Sequence, residues 1–204
     1  MKKVLVNTFL VTVLFVFCSC EKEEKKDNTD SGIDSSLIVG EWYRAYGDYV
    51  EDITFAKNFR FTGLVYDKLS SKAIISDNLS GSWRISSYGT IMSLDIYRTS
   101  TGRTETKYYS VVSWTDYSVQ LLDKEYGNTE SYLRIVENVN MRLKEIYEID
   151  YLNNKSISVS NYRSSNPSIV SINDNGQITA NEVGIAFISV FTNVGNFIVK
   201  VEVQ

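Results

Sequence analysis

The sequence predicts an all-β protein in which a small antiparallel β-barrel is followed by a β-sandwich. From residue 37 onward, apolar and polar residues alternate over short runs, turns rich in glycine and asparagine separate these runs, and no stretch has a convincing helical periodicity. All tryptophans lie before residue 138, and β-branched residues become more frequent from residue 138 onward. This change in composition predicts two domains, residues 37–137 and residues 138–204.

The first element in chain order, residues 1–19, is predicted to be an export signal. Two lysines follow Met1, and residues 4–17 are then apolar apart from three polar residues. A membrane-spanning helix needs about 17–25 apolar residues, so a cleaved signal peptide is favoured over an uncleaved membrane anchor.

The signal ends at two cysteines, of which Cys20 follows the small residue Ser19 and Cys18 follows the bulky Phe17. This end resembles the lipobox of bacterial lipoproteins, in which a small residue precedes a cysteine that is lipidated and becomes the mature N-terminus. Phe17 departs from the usual leucine at the third position before that cysteine. The resemblance implies lipidation of Cys20 and attachment to a membrane through that lipid.

Residues 20–36 are predicted to be the lipidated N-terminus and a flexible tether. Residues 21–36 contain no aromatic residue and a single apolar one, too few to offset the entropy of ordering the chain. As a coil, the tether reaches about 20 Å. Lys22-Glu23-Glu24 resembles a signal that sends lipoproteins of one Gram-negative phylum to the outer face of the outer membrane, although charge runs are also common in linkers. The expected location is the outer membrane, facing the cell exterior.

The composition of the mature chain excludes several function classes. It has one cysteine and no histidine, which excludes an internal disulfide, Ser-His-Asp and Cys-His catalysis, and the usual zinc sites. Its net charge of −6 provides no basic face for nucleic acid. We therefore expect no catalytic residues, cofactor, metal or nucleic-acid partner. The remaining enzymatic alternative is a glycosidase-like carboxylate pair among Asp48, Glu51 and Asp52, for which a solvated acidic loop is the favoured interpretation.

Residues 37–137 are predicted to contain eight or nine strands. The first hairpin would place Ile53, Phe55, Phe59 and Phe61 on one face, with a turn at residues 57–58. Closing such a meander into a barrel removes its exposed edges. Further strands are expected at residues 83–85, 92–97, 107–114, 118–122 and 131–136.

Gly40-Glu41-Trp42 stands at the start of the first predicted strand. It resembles the opening motif of lipocalin-like domains, in which the tryptophan closes one end of an eight-stranded up-and-down barrel. The resemblance implies that an arginine near the last strand covers this ring, and Arg134 is the candidate. Gly40, Trp42 and Arg134 are therefore the predicted barrel-closing residues.

All three tryptophans and 11 of the 14 tyrosines lie in residues 37–137. They either line a pocket for an apolar or sugar ligand or, as the favoured alternative, fill a small barrel completely. If a pocket exists, the expected lining residues are Trp83, Trp114, Tyr43, Tyr66, Tyr97 and Tyr109.

Residues 138–204 are predicted to contain five strands, at residues 156–160, 169–172, 177–180, 185–192 and 197–203. Three blocks occur in order: residues 162–172 with Pro167, Asn175-Gly176 followed by residues 177–180, and residues 184–188. Together they resemble the bacterial Ig-like domain of group 2 (BIG2). The resemblance implies a small Ig-like sandwich that acts as a spacer or, less favoured, as an adhesin.

Three functions remain open from the sequence. The first is a lipid-anchored, non-catalytic binding module for a small apolar or glycan ligand. The second is a structural or adhesive cell-surface module with protein partners and no small ligand. The third and least favoured is a carbohydrate-cleaving enzyme.

Overall fold

The first eight strands of the computed structural model form a closed antiparallel β-barrel. The structure describes residues 33–68, 75–86, 88–153 and 156–204, which belong to one compact unit. Consecutive strands pair along the chain, and the first strand pairs with the eighth to close the ring. The barrel strands are β1 (Gly40–Tyr46), β2 (Tyr49–Phe55), β3 (Arg60–Asp67), β4 (Ile75–Ile85), β5 (Ile91–Arg98), β6 (Arg103–Trp114), β7 (Ser118–Asp123) and β8 (Thr129–Met141). The predicted closure into an eight-stranded antiparallel barrel is confirmed.

A short helix, α1 (Ser35–Ile38), leads into β1. The Asp34 side chain caps it by accepting a hydrogen bond from the Ser36 backbone NH at 2.8 Å. Just before the helix, the Ile33 NH donates to the carbonyl of Gly89 in the β4–β5 turn at 3.0 Å. The described chain therefore enters the barrel at the end where β1 begins, which we call the closed end.

The first hairpin differs from its prediction at one residue. Phe55 and Phe61 are buried, with ring centroids 5.7 Å apart. Phe59, predicted to share their face, instead lies in the turn with a φ of 60° and is 51% exposed. The prediction for Phe59 was wrong because the turn extends to residue 59 and β3 begins only at Arg60.

The last six strands extend the barrel sheet and add a second one. They are β9 (Ile146–Glu148), β10 (Val159–Ser164), β11 (Val170–Ile172), β12 (Gln177–Ala180), β13 (Gly184–Thr192) and β14 (Phe197–Val203), with a 3₁₀ turn at Asp150–Leu152. β14 pairs in parallel with β8, β13 pairs with β14 and β10 pairs with β13, while β11, β12 and β9 form a separate sheet. The strand predicted at residues 156–160 starts three residues later, at Val159, and β9 was not predicted.

Strand β8 belongs to both parts of the structure. Its first residues pair with β7 and β1, and residues 135–141 pair with β14. The domain boundary predicted between residues 137 and 138 falls inside this strand. Apolar side chains of β8, β10, β13 and β14 pack against the three-stranded sheet in one buried cluster. A second cluster joins the outer surface of β1–β3 to β13 and β14 through residues that include Tyr43, Tyr66, Phe187 and Ile198.

Candidate functional site

The barrel interior is filled by its own side chains. Trp42 and Trp83 are each 1% exposed, and the Trp83 ring packs edge-on against Phe55 at a centroid distance of 5.7 Å. Further along the interior, the space left between Ile53, Tyr109 and their neighbours is about 10 Å³. A single buried water needs roughly 10–15 Å³. This space is therefore too small for a ligand.

The three residues predicted to close the barrel lie together at the closed end. The Arg134 guanidinium carbon is 4.4 Å from the centroid of the Trp42 ring, and the Trp42 indole NH donates to the Ile38 carbonyl at 2.7 Å. Gly40 has a φ of +132°, and a Cβ at this position would lie 2.7 Å from Arg134 Nη1. Glycine is therefore required here both by the backbone conformation and by the arginine.

Arg134 is held by three backbone carbonyls. Its Nε donates to Asp116 O at 2.6 Å, its Nη1 donates to Val39 O at 3.0 Å, and its Nη2 donates to Leu37 O. These bonds fix the guanidinium over the Trp42 ring and tie the segment before β1 to β8. The closed end is thus stabilised by a cation–π contact and by three hydrogen bonds from one arginine side chain.

The six residues predicted to line a ligand pocket face different environments. Trp83 and Tyr109 are buried inside the barrel, and Trp114 packs against the same core while partly exposed. Tyr97 lies on the outer surface and is 42% exposed. These positions follow from the alternation of side chains along each strand.

The remaining two, Tyr43 and Tyr66, point outward from the barrel. Their rings pack against Phe187 of β13, at centroid distances of 5.0 Å and 5.7 Å. Both are covered by β13 and β14, so they join the barrel to the rest of the sheet. The six residues do not come together in one site.

The opposite end of the barrel, which we call the mouth, contains an open pocket of about 550 Å³. It lies where β1 ends and β2 begins. Its lining includes Arg44, Tyr46, Arg98, Lys107, Asp123, Tyr126 and Glu130. The mouth therefore combines several charged groups of both signs with aromatic rings, whereas the closed end is built around one arginine and one tryptophan.

Arg44 is the centre of the charge arrangement at the mouth. Its Nη2 lies 2.7 Å from Glu51 Oε2, and its Nη1 forms an ion pair with Glu130. Its guanidinium carbon also lies 4.5 Å from the ring centroid of Tyr46 and 5.2 Å from that of Tyr132. One arginine thus satisfies two carboxylates and contacts two aromatic rings.

The other two cations of the mouth are also paired. Arg98 donates from Nε to Glu105 at 3.0 Å, and Lys107 Nζ lies 3.5 Å from Asp123 Oδ2. Lys107 Nζ is also 5.8 Å from the ring centroid of Tyr126. Each cation that lines the mouth therefore has a carboxylate partner, and the local charge is largely compensated.

The pKa values around the mouth show the effect of burial and of these partners. Burial and the neighbouring Glu51 raise the pKa of Tyr46 to about 12, and burial raises the pKa of Tyr109 and Tyr132. Desolvation acts to raise the pKa of Asp123, but backbone NH groups of the following turn and Lys107 outweigh it and lower that pKa. At neutral pH the mouth therefore combines these neutral phenol groups with the ionised carboxylate of Asp123.

The carboxylates considered as a catalytic pair lie apart. Asp48 is exposed in the β1–β2 turn, and Glu51 is buried inside the barrel beside Arg44. Asp52 points to the outer surface and forms an ion pair with Lys200. Residues 51 and 52 are neighbours on one strand, so their side chains necessarily face opposite sides.

Cys20, Lys22-Glu23-Glu24 and the predicted signal at residues 1–19 lie outside the described residues. Within the described ranges, no helix has the length and apolar character needed to cross a membrane. In the same ranges, no three side chains of the types His, Cys, Asp and Glu are grouped so as to hold a metal ion.

The mouth residues were missed by the sequence reasoning, which followed tryptophan and tyrosine content. A usable signal was present in β1: once Trp42 is assigned to the interior, alternation also directs Arg44 and Tyr46 inward. No comparable signal identifies Arg98 or Lys107. Whether their side chains point into the barrel depends on the register of strands that lie far along the chain from β1.

Comparison with known proteins gives no relative: no family model matches the chain, and no curated protein matches it significantly.

Proposed function

We propose that this protein is a lipoprotein anchored to the outer membrane through Cys20 and facing the cell exterior, and that its folded part is a non-catalytic binding module for a glycan. The short export signal, the small residue before Cys20 and the Lys22-Glu23-Glu24 run support the anchor. Within this proposal, the barrel is lipocalin-like and residues 138–204 are a BIG2 domain.

The structural roles of the BIG2-like motif positions support that assignment. Gly176, in the turn between β11 and β12, has a φ of +80°. Gly184 begins β13 with a φ of +149°, and a Cβ there would lie 2.8 Å from Ile169 Cδ1. The motif thus supplies glycine where the backbone needs a conformation that other residues rarely adopt.

The observation that carries the glycan proposal is the contrast between the two ends of the barrel. An apolar ligand would need space inside, and the space there is about 10 Å³. The mouth offers about 550 Å³, within the range of roughly 300–1,000 Å³ that is usual for small-ligand sites. Its compensated charges and its tyrosine rings suit a neutral, hydroxyl-rich molecule. Sugar rings stack on aromatic faces, and sugar hydroxyls donate to carboxylates and accept from guanidinium groups.

The path of the chain supports display of the mouth. The described chain enters at the closed end, and the seven residues of β1 then run to the mouth. The mouth therefore lies at the opposite end of β1 from Ile33, the first residue that the structure describes.

Substitution of two ring-bearing residues at the mouth tests this function. The full-length protein, in a detergent without a sugar headgroup, is titrated calorimetrically with cellotriose, xylotriose and diacetylchitobiose. We expect wild type to bind at least one of them and Tyr46→Ala/Tyr126→Ala to bind it about tenfold more weakly or worse, since each ring contributes on the order of 1 kcal/mol.

Tyr88→Ala is the matched control, because Tyr88 is 81% exposed in the β4–β5 turn at the closed end. It should leave the affinity unchanged. Wild type that binds none of the three saccharides, or a mouth variant that binds as wild type does, contradicts the glycan proposal.

The anchor is tested separately by metabolic labelling with a fatty acid and by protease treatment of intact cells. We expect wild type to take up label and to be degraded by the external protease, and Cys20→Ala to take up none. Unlabelled wild type refutes the lipoprotein assignment, whereas labelled but protected protein refutes only the exterior location.

A second function, a structural or adhesive surface module without a small ligand, is favoured by the junction between the barrel and the strands that follow it. Residues 198–203 of β14 pair in parallel with β8, and Lys200 forms an ion pair with Asp52 across the junction. Such a rigid connection suits a spacer. This function becomes the preferred one if the saccharide titrations of wild type are negative.

A further inference from the structure

A second open pocket, of about 620 Å³, lies between the outer surface of the barrel and the β8–β14 pair. We call it the junction cleft. It shares no lining residue with the mouth. Its size falls in the range of roughly 300–1,000 Å³ that is usual for small-ligand sites.

One wall of the junction cleft is a row of outward-facing side chains on the barrel. Glu41 on β1 is the register partner of Thr54 on β2, and Thr54 is the partner of Thr62 on β3. The next row places Asp52 beside Leu64, and Leu64 beside Asn78 of β4. Because the interior positions of these strands are filled by apolar core residues, alternation forces this polar set to the outside.

The opposite wall comes from β8 and β14. Their parallel register pairs Asn138 with Lys200 and Asn140 with Glu202. The intervening residues, including Val139 and Val201, are buried in the core against the three-stranded sheet. The asparagines, Lys200 and Glu202 therefore face the barrel across the cleft.

Two contacts hold the walls together. Lys200 forms an ion pair with Asp52, and Asn138 Nδ2 donates to Glu41 Oε2 at 2.7 Å. The side-chain conformations on both sides of the cleft are thus fixed before any ligand arrives, which reduces the entropy cost of binding.

Other polar groups of the cleft remain uncommitted. The side chains of Thr54, Thr62, Asn78 and Asn140 make no hydrogen bond with any residue that the structure describes. Two hydroxyls and two amides are therefore available as both donors and acceptors on the two walls.

The charge of the cleft selects among hydrogen-bonding ligands. Its lining carries three carboxylates, Glu41, Asp52 and Glu202, against the single ammonium group of Lys200. This excess disfavours an anionic ligand. No aromatic side chain is found in the lining among the described residues, so recognition would rest on hydrogen bonds and on the apolar surface of Leu64 and Leu79.

We infer that the junction cleft is a second carbohydrate site, which binds a neutral saccharide between the two walls and rejects its acidic counterparts. A sugar hydroxyl can donate to a carboxylate while accepting from an amide, and the lining of the cleft contains both kinds of partner, the carboxylates Glu41, Asp52 and Glu202 and the amides Asn78, Asn138 and Asn140. Two sites on one rigid unit would let the protein hold a long glycan at two points, which raises the effective affinity for it.

The experiment uses the full-length Tyr46→Ala/Tyr126→Ala protein, in which binding at the mouth is weakened. Calorimetric titration with cellotriose, xylotriose and diacetylchitobiose is expected to show binding of at least one, and digalacturonic acid is expected not to bind. Thr62→Val and Asn140→Leu, added singly, should each weaken binding about tenfold, which corresponds to the loss of one or two hydrogen bonds. Both residues are exposed, so these variants are expected to fold.

Thr104→Val is the matched control, since Thr104 is an exposed residue on β6, outside the cleft. It should leave the affinity unchanged. The inference is overturned if no neutral saccharide binds in the mouth-variant background, if digalacturonic acid binds as well as the neutral sugars, or if Thr62→Val and Asn140→Leu bind as their parent does. The effect of the mouth substitutions on wild type tests the mouth by itself, so the failure of one site is distinguishable from the failure of the other.

Discussion

Two arginines face the barrel interior from the same pair of strands, and they are stabilised in opposite ways. Arg134 of β8 covers Trp42 of β1 at the closed end, and Arg44 of β1 contacts Tyr132 of β8 two positions further along. Each therefore makes a cation–π contact across the β1–β8 pairing. At the closed end the arginine lies on β8 and the aromatic residue on β1, whereas at the mouth the arginine lies on β1 and the aromatic residue on β8.

The hydrogen-bond partners of the two guanidinium groups differ in charge. Arg134 donates to three neutral carbonyls, and desolvation lowers its pKa. Desolvation acts on Arg44 in the same direction, but Tyr132, Glu51 and Glu130 outweigh it and raise the pKa. At the closed end, arginine thus positions neighbouring segments through hydrogen bonds to neutral groups. At the mouth, arginine instead balances the negative charge of two carboxylates.

The largest effect is expected from Arg44→Met, which removes the counter-charge of two carboxylates. Breaking a buried ion pair from one side typically costs 3–5 kcal/mol, and we expect a loss of about 3 kcal/mol in the free energy of unfolding at pH 7. The loss is measured by urea denaturation at pH 7.

A second variant separates charge from packing at this position. Arg44→Met/Glu51→Gln/Glu130→Gln keeps the side-chain volumes and removes all three charges, and it should recover most of the lost stability. If the triple variant is as unstable as Arg44→Met, packing and not charge determines the role of Arg44.

A smaller effect is expected from Arg134→Met, about 2 kcal/mol, because three carbonyls lose their donor while Arg134 is only partly buried. No carboxylate is left unpaired by this change. Its cost should therefore be smaller than that of Arg44→Met, as measured by the same urea denaturation at pH 7. A cost as large as that of Arg44→Met would show that an unpaired carboxylate does not distinguish the two arginines, and the comparison between the two ends would fail.

The closed end was predictable from the sequence and the mouth was not. Gly40-Glu41-Trp42 is a contiguous motif, and its resemblance to lipocalin-like domains supplied the partner Arg134 from 92 residues away. The mouth combines side chains from β1, β5, β6, β7 and β8 that share no local pattern. They come together only through the register of several hairpins, and alternating apolar residues do not determine that register by themselves.

Other elements were beyond sequence reasoning for equally local reasons. The apolar character of Phe59 favours a strand, but the turn geometry placed it at positive φ. The parallel pairing of β8 with β14 joins residues about 60 positions apart, and nothing in either strand identifies the other as its partner. By contrast, β12 and β14 were predicted at their observed bounds, because turn residues flank them and their side chains alternate regularly.

The smallest effect is expected at the rim of the mouth, from Asp123→Asn. Asp123 Oδ1 accepts hydrogen bonds from the NH groups of Glu125 and Tyr126, at 2.8 Å and 3.2 Å, and Asp123 also pairs with Lys107. The amide oxygen of asparagine can accept some of these hydrogen bonds from the turn, but it carries no charge to pair with Lys107. We therefore expect a loss of about 1 kcal/mol in the free energy of unfolding at pH 7.

The pH dependence of Asp123→Asn shows whether the paired charge or the turn cap accounts for this loss. The folded-state pKa of Asp123 is lowered, so its contribution is complete above the ordinary carboxyl pKa of 3.8 and is lost as the pH falls through the lower folded value. The difference between wild type and Asp123→Asn, measured by thermal unfolding, should therefore disappear below that value. Asp48→Asn, in the exposed β1–β2 turn, serves as the control and should leave the stability at pH 7 unchanged. A difference that persists at low pH would mean that turn geometry, and not charge, makes Asp123 necessary, and the mouth would then resemble the closed end more than its ion pairs suggest.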